Sequence, residues 1–433
     1  MTTIVRNPKP NRVFSNNEII VGGAIYFLIV GGTFHNILSY LALIASIVVI
    51  MFCSQEKFLS LLMFIMPFAT IFKASPNSQS FFTYLTLVYV LFCVFKNCKI
   101  DYKFLSWIVI FAIFLVFQMF LSFNILRTIK FVFNVLLIYF ATSLVTSEND
   151  KKIYVSFILG IVISSITAYI NVIPNLTEYI GAKDLGHYYD EMVRFSGLYA
   201  DPNYYSINVI ISLCLAVILN CKNKMSSISA ALFSVILLAF AIMTYSKSAF
   251  LILILPLSLL LYFKFKNRQY IFVSIIVIAF SIFAMFLLSG KIEALNIVLS
   301  RITESNDLST LTTGRLELWL SYLDFFKNNI LSMLFGVGFG GELVAEMAAH
   351  NSYIDMIYYL GLLGSMLLIS LIVRLFKYKQ ASFKKNILNY SILIVILIMY
   401  FFLSELFYFD WAFHFIIAIL VFKTNFNKSK KEV

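Results

Sequence analysis

Long apolar runs separated by short polar clusters recur along the whole chain. A bilayer core of about 30 Å takes about 20 helical residues, and backbone polar groups inside it must be paired within the protein. On that rule the runs predict spans near residues 19–34, 37–53, 58–72, 80–95, 104–123, 127–146 and 152–173. Further spans follow near 203–220, 227–243, 247–263, 270–289, 352–373, 387–404 and 408–422. The first two and the last two are short or closely joined, so the pattern fits 12 to 14 spans. The expected fold class is therefore all-α, a polytopic transmembrane helical bundle with a partly helical large external loop.

The chain divides accordingly. A tail (1–18) precedes N-terminal transmembrane helices (19–173), an external loop (174–202) and central helices (203–289). A large external loop (290–351), C-terminal helices (352–422) and a second tail (423–433) complete it. Loops as long as 174–202 and 290–351 are usually functional when their composition is not that of a disordered segment. In the larger one Leu316, Trp319, Leu320, Leu323 and Phe326 follow a three-four spacing, which predicts an amphipathic helix starting near Gly314 with Thr313 as its N-cap. Lys291 to Arg301 reads as a short interfacial helix and GVGFGG (336–341) as a flexible turn. Asp201-Pro202 is a helix-start signal that holds Arg194 near an external helix end.

Composition agrees with lipid as the solvent: 61% of residues are hydrophobic and only 12% charged, where soluble domains carry about a quarter charged. The formal charge of +12 does not point to nucleic acid, because the basic residues are not gathered on one face. They punctuate the spans, as membrane topology requires. With both termini cytoplasmic, 23 of the 33 Lys and Arg lie inside and 10 outside, against 6 acidic residues inside and 15 outside. The apolar run from Ile19 passes straight into a second one and reads as a retained first helix rather than a cleaved signal. The cysteines fall at cytoplasmic ends or within a span, so no disulfide is expected.

Four external groups could carry chemistry: Arg194, Lys247, Arg315 and His350. Guanidinium groups grip phosphate oxygens with two parallel hydrogen bonds, and lysine acts as a point charge. An imidazole titrating near neutrality can take a proton from a sugar hydroxyl. Each residue also has a structural reading. Arg194 could pair with Glu191 or Asp190, Arg315 with Glu317, and Lys247 could reach to the interface. His350 beside Asn351 could belong to a helix cap. His35, His187 and His414 take the structural reading, and Glu405, Asp410 and His414 form a weak second cluster expected at the external edge. No metal, nucleotide or hydrolase motif is present.

The chain resembles the bacterial O-antigen polymerase and O-antigen ligase superfamily in RFSGLYADPNYYS (194–206), TYSKSAF (244–250), TGRLELW (313–319), FGVGFGG (335–341) and HNSYIDMIYYLGLLG (350–364). Their order and spacing match over roughly 190–365, whereas the N-terminal half matches in hydropathy alone. The resemblance implies a metal-independent, cofactor-free inverting glycosyltransferase in the bacterial plasma (inner) membrane. Its donor would be an undecaprenyl-diphosphate-linked oligosaccharide, used on the external (periplasmic) face.

By the same resemblance Arg194, Lys247 and Arg315 would hold the diphosphate and His350 would activate the acceptor, with Asn203, Gly314 and Asn351 in support. The family's usual arginine is Lys247 here, which keeps the charge but not the fork. A polymerase of O-antigen or capsular repeat units is the favoured function, with a chain-length regulator as an implied partner. A ligase transferring the glycan to lipid A core is the alternative. A lipid-linked oligosaccharide transporter would need intramembrane charges or internal repeats, and a pure scaffold would leave the Arg and His constellation unexplained.

Overall fold

A computed structural model describes residues 13–96, 102–144, 150–180, 188–189, 192–266, 315–344, 347–378, 387–404 and 410–423. The expected span at 270–289, the interfacial helix near 291–301, Thr313 and Gly314, and the acidic residues 190, 191 and 405 lie outside the described residues.

Helices dominate. They are α1 (Asn16–Gly32), α2 (Asn36–Phe52), α3 (Gln55–Ile65), α4 (Phe81–Phe95), α5 (Tyr102–Leu121), α6 (Ile125–Leu144), α7 (Asp150–Tyr169) and the short α8 (Leu176–Ile180). Then come α9 (Pro202–Cys221), α10 (Ser227–Met243), α11 (Lys247–Lys266), α12 (Arg315–Asn328) and α13 (Ile330–Phe335). The chain ends with α14 (Ser352–Tyr378), α15 (Ile387–Phe401) and α16 (Asp410–Lys423). A two-stranded antiparallel ladder, Tyr188–Tyr189 with Met192–Val193, interrupts the loop before α9.

Among the described residues, five helices are long and apolar enough to cross a membrane, at Tyr102–Leu121, Ile125–Ser143, Asp150–Tyr169, Pro202–Cys221 and Ser352–Phe376. Most of the other expected spans are apolar helices of 10–17 residues. The span expected at 58–72 departs furthest from a membrane-crossing rod. It is an 11-residue helix that stops at Pro67 in a 3-10 turn, Met66–Phe68. Proline lacks the N–H a continuing helix needs. Phe58, Leu59, Leu62, Met63, Ile65, Met66, Phe68 and Phe72 are all fully buried, so the irregular backbone is shielded by protein rather than met by lipid. Gly160 of α7 allows the approach, since a Cβ there would stand 2.6 Å from the Phe64 carbonyl oxygen.

α9 is buried all round and is the axis of the bundle, with α7, α10, α11 and α15 packed about it. Its sequence is apolar on every side, the pattern of a core helix rather than a surface one. It starts where Asp201-Pro202 predicts: the Asp201 carboxylate accepts from Asn203 N at 2.6 Å and Pro202 occupies the first turn.

α14 is broken at Gly361, whose φ of 67° and ψ of 176° only glycine adopts readily. The carbonyls released by the break are taken up elsewhere. Val337 N donates to Tyr358 O (2.8 Å), while Gly338 N (3.1 Å) and Gln118 Nε2 (3.0 Å) donate to Tyr359 O. The GVGFGG segment, expected as a flexible turn, is thus the hydrogen-bonded partner of a broken helix. Gly336 and Gly361 stack backbone on backbone, and a Cβ on either would overlap the other strand of chain. Gly361→Ala is expected to destabilise the protein by about 3 kcal/mol or more, read as a lowered thermal unfolding midpoint in detergent and a smaller membrane-inserted yield.

Candidate active site

The N-terminus of α9 gathers the first part of the site. Arg194 is only 8% exposed. Its Nε donates to Thr244 O (3.0 Å) and its Nη2 to Asn203 Oδ1 (3.1 Å). Asn203 Oδ1 also accepts from Ser246 Oγ (2.7 Å), which lies 3.0 Å from Ser248 Oγ. Phe195 N donates to Met243 O (3.0 Å), so the strand carrying Arg194 is stitched to the corner between α10 and α11. Gly197 has φ +58°, and a Cβ there would strike the Tyr205 ring at 2.6 Å. Lys247 follows Ser246 directly as the first residue of α11 and is half-buried.

The starts of α12 and α14 form the second part. Arg315 is the first residue of α12, and its Nη1 donates to Phe402 O (2.8 Å). Ser352 Oγ donates to the neighbouring Leu403 O (2.5 Å), tying α14 to the same turn after α15. Asn351 caps α14, its Oδ1 accepting from Tyr353 N (3.0 Å) and Ile354 N (3.2 Å). Trp319 Nε1 donates to Ala349 O (2.9 Å), Tyr322 Oη to Met347 O (2.7 Å), and Ala349 N to Asp355 Oδ1 (3.2 Å). The segment 347–351 is therefore clamped, and His350 within it is held at φ +50°, the left-handed region that non-glycine residues visit only occasionally.

Electrostatics join the two parts. The His350 imidazole is pushed below its usual range, first by burial, then by the Arg315 guanidinium, with the Asp201 carboxylate pulling the other way. Both charges are thus near enough to act on it, one from the start of α12 and one from the cap of α9. Lys247 and Arg315 open their helices, where the dipole and the unpaired N–H groups disfavour cations and favour anions. Such a placement becomes favourable when an anion lies at the helix end.

Of the residues singled out in the sequence, Arg194 and Asn203 share a hydrogen bond, Lys247 stands beside their network, and Arg315, His350 and Asn351 share the second part. Asp201, Ser246, Thr244 and Phe402 complete the arrangement and were not among the sequence candidates for chemistry. Asp201 showed only as a cap, and backbone carbonyls such as Thr244 O and Phe402 O leave no trace in side-chain chemistry.

The second cluster, which among the described residues begins with Asp410 at the first residue of α16, is shielded by protein. Asp410, Asn208, His414 and Tyr400 are all buried in the bundle. Asn208 Nδ2 donates to Asp410 Oδ2 (3.1 Å), leaving Asn208 Oδ1 to face His414 Nε2 (3.0 Å). His414 Nε2 therefore carries the proton, and Nδ1 accepts from Tyr400 Oη (3.2 Å). This chain ties α9, which presents Asn203 to Arg194, to α15, whose end presents Phe402 O to Arg315. His414→Gln can donate and accept in the same directions, whereas His414→Phe leaves buried polar groups unpaired. We expect the phenylalanine variant to unfold at a clearly lower temperature, by about 1–3 kcal/mol of lost stability, and the glutamine variant to recover most of the difference.

A family model described as O-antigen ligase matches residues 232–369. That stretch includes Lys247, Arg315, His350 and Asn351 and leaves out Arg194 and Asn203. No curated protein and no solved structure matches the chain.

Proposed function

We propose, from the premise that this chain belongs through residues 232–369 to the superfamily of O-antigen ligases and polymerases, that it polymerises lipid-linked oligosaccharide repeat units. The donor would be a glycan on undecaprenyl diphosphate, used at the outer face of the bacterial plasma membrane. The product would be an O-antigen or capsular polysaccharide. What supports this reading is the His350 imidazole, held below its usual range by burial and then by the Arg315 guanidinium against the Asp201 carboxylate, together with cations that open helices.

In the proposed step His350 takes the proton from the acceptor sugar hydroxyl. The hydroxyl oxygen forms its bond to the anomeric carbon as the bond from that carbon to the phosphate oxygen breaks. The electron pair leaves with the diphosphate, and attack from the opposite side inverts the anomeric configuration. Arg315, Arg194 and Lys247 would stabilise the charge that develops on the departing diphosphate, usually the largest contribution in a preorganised site. Asn203 and Asn351 hold the arginine and the histidine loop in place, and Gly314 precedes Arg315 at the start of α12. A chain-length regulator is a fitting partner for such a polymerase.

The ligase reading is kept because the matching family model carries that description. Reconstitution of the full chain in proteoliposomes with a lipid-linked repeat unit separates the two. A ladder of products without added lipid A core means polymerase. Product that forms only when lipid A core is supplied means ligase, and no product under either condition overturns both.

A further inference from the structure

At the opposite end of the bundle from this site, a groove of about 460 Å³ opens among α1, the end of α2, α3 and α7. Its walls are mainly apolar, but its mouth is not. Glu18 sits there between two lysines, with Lys152 Nζ 3.2 Å and Lys57 Nζ 3.5 Å from its carboxylate. That carboxylate also accepts from Ser15 N at 2.8 Å as part of the α1 cap. Two ammonium groups thus face one well-covered carboxylate, and the mouth keeps a surplus positive charge.

The depth of the groove has a natural scale. Tyr26 lies eight residues beyond Glu18 and Ile163 eleven beyond Lys152, which is about 12 Å and about 16 Å of helix rise. Half of a bilayer core is about 15 Å. The floor is closed where Tyr26 Oη meets Thr167 Oγ1 at 2.9 Å and the Tyr26 ring stands edge-on to Phe68 at 5.5 Å. The groove therefore begins at an interface and ends near the midplane.

Gly22 and Gly23 line it, side by side within α1. Glycine is a poor helix former, and a close neighbour is the usual reason to find one inside a helix. Here a Cβ at either position would meet nothing within 4 Å. The room they leave belongs to the groove and not to a packed neighbour.

We infer that this groove is a binding site for one chain of an anionic phospholipid of the leaflet at that end, with the phosphate headgroup held by Lys57 and Lys152. Two lysines match a phosphate that carries no compensating ammonium, the Gly22-Gly23 pair leaves space for the acyl chain, and the length is that of one leaflet. The distribution of Lys and Arg assigns this end to the cytoplasm. The inference is independent of the transfer reaction.

The test uses the full chain in nanodiscs made of equal parts phosphatidylglycerol and phosphatidylethanolamine, followed by native mass spectrometry of the released protein. The wild type should retain one phosphatidylglycerol per chain in preference to phosphatidylethanolamine. Lys57→Gln with Lys152→Gln should lower phosphatidylglycerol retention by about tenfold. Gly22→Leu with Gly23→Leu should lose the retained lipid altogether. The leucines enter open space and favour the helix, so this variant folds whatever the groove does. Equal retention by the leucine variant would show that the groove is not the site. An unchanged phosphatidylglycerol preference in the glutamine variant, or phosphatidylethanolamine retained by the wild type, would overturn the headgroup assignment.

Discussion

His350→Asn is expected to lower the rate of glycan extension by about 10²–10⁴-fold, the contribution of a positioned general base, without changing the amount of protein in the membrane. Asparagine is the informative replacement because His350 sits at φ +50°, and asparagine tolerates that region better than alanine does. An alanine would confound loss of the base with backbone strain. The pH dependence follows from the same environment. Burial and Arg315 push the imidazole below its ordinary range, with Asp201 opposing them. His350 is then neutral at pH 7, and kcat/KM should fall only as the pH drops below about 6.5, with the reference value for histidine as the upper bound.

Asp201→Asn refines the prediction. Asparagine caps a helix as well as aspartate, so α9 should start unchanged, but the carboxylate that favours the imidazolium is gone. The acidic limb should move further down. A limb that moves up, or a His350→Asn enzyme within a few-fold of wild type, would remove His350 from the role of base.

The helices were legible because lipid imposes one simple demand, about 20 apolar residues per crossing. Asp201-Pro202 placed the start of α9, and the three-four spacing after Gly314 placed α12. The face of α12 was less legible. The expected stripe was Leu316, Trp319, Leu320, Leu323 and Phe326, yet Leu320 and Leu323 are about half exposed while Tyr322 and Phe326 are buried. Tyr322 and Trp319 turn inward because each brings a polar end that reaches a carbonyl, Met347 O and Ala349 O. Hydrophobicity alone ranks leucine above tyrosine and so rotates the helix the wrong way.

Within the site, the charged residues were legible by type, but what holds them was not. Arg194 is fixed by a carbonyl fifty positions away and Arg315 by one eighty-seven positions away. The Asn208–Asp410 bond spans two hundred and two positions. A sequence shows which residues could form such pairs but not which ones the packing brings together. The break at Gly361 was hidden for a related reason. A glycine inside an apolar run looks like a tolerated helix residue, and only the neighbouring backbone of Gly336 reveals that it is needed there.

The second large effect is expected at Arg315. Its Nη1 donates to Phe402 O, which helps to orient the guanidinium. A diphosphate lying against α12 would meet a fork already oriented, at a helix end whose N–H groups also favour anions. Charge on the diphosphate grows as its bond to the sugar breaks, so the loss in Arg315→Ala should fall mainly on kcat rather than KM. Removing one such donor typically costs about 10²–10³-fold. Arg315→Lys keeps the charge but not the fork and should lie between alanine and wild type. The variants should also differ in pH profile. Arg315 helps to depress the His350 imidazole, so the residual activity of Arg315→Ala should show its acidic limb displaced upward, and Arg315→Lys should keep the limb near its wild-type position. Measuring both limbs in proteoliposomes distinguishes a shared site from two separate ones. If Arg315→Ala lowers kcat but leaves the limb unmoved, Arg315 and His350 do not act in one site, and full activity in that variant would leave the departing diphosphate without its proposed partner.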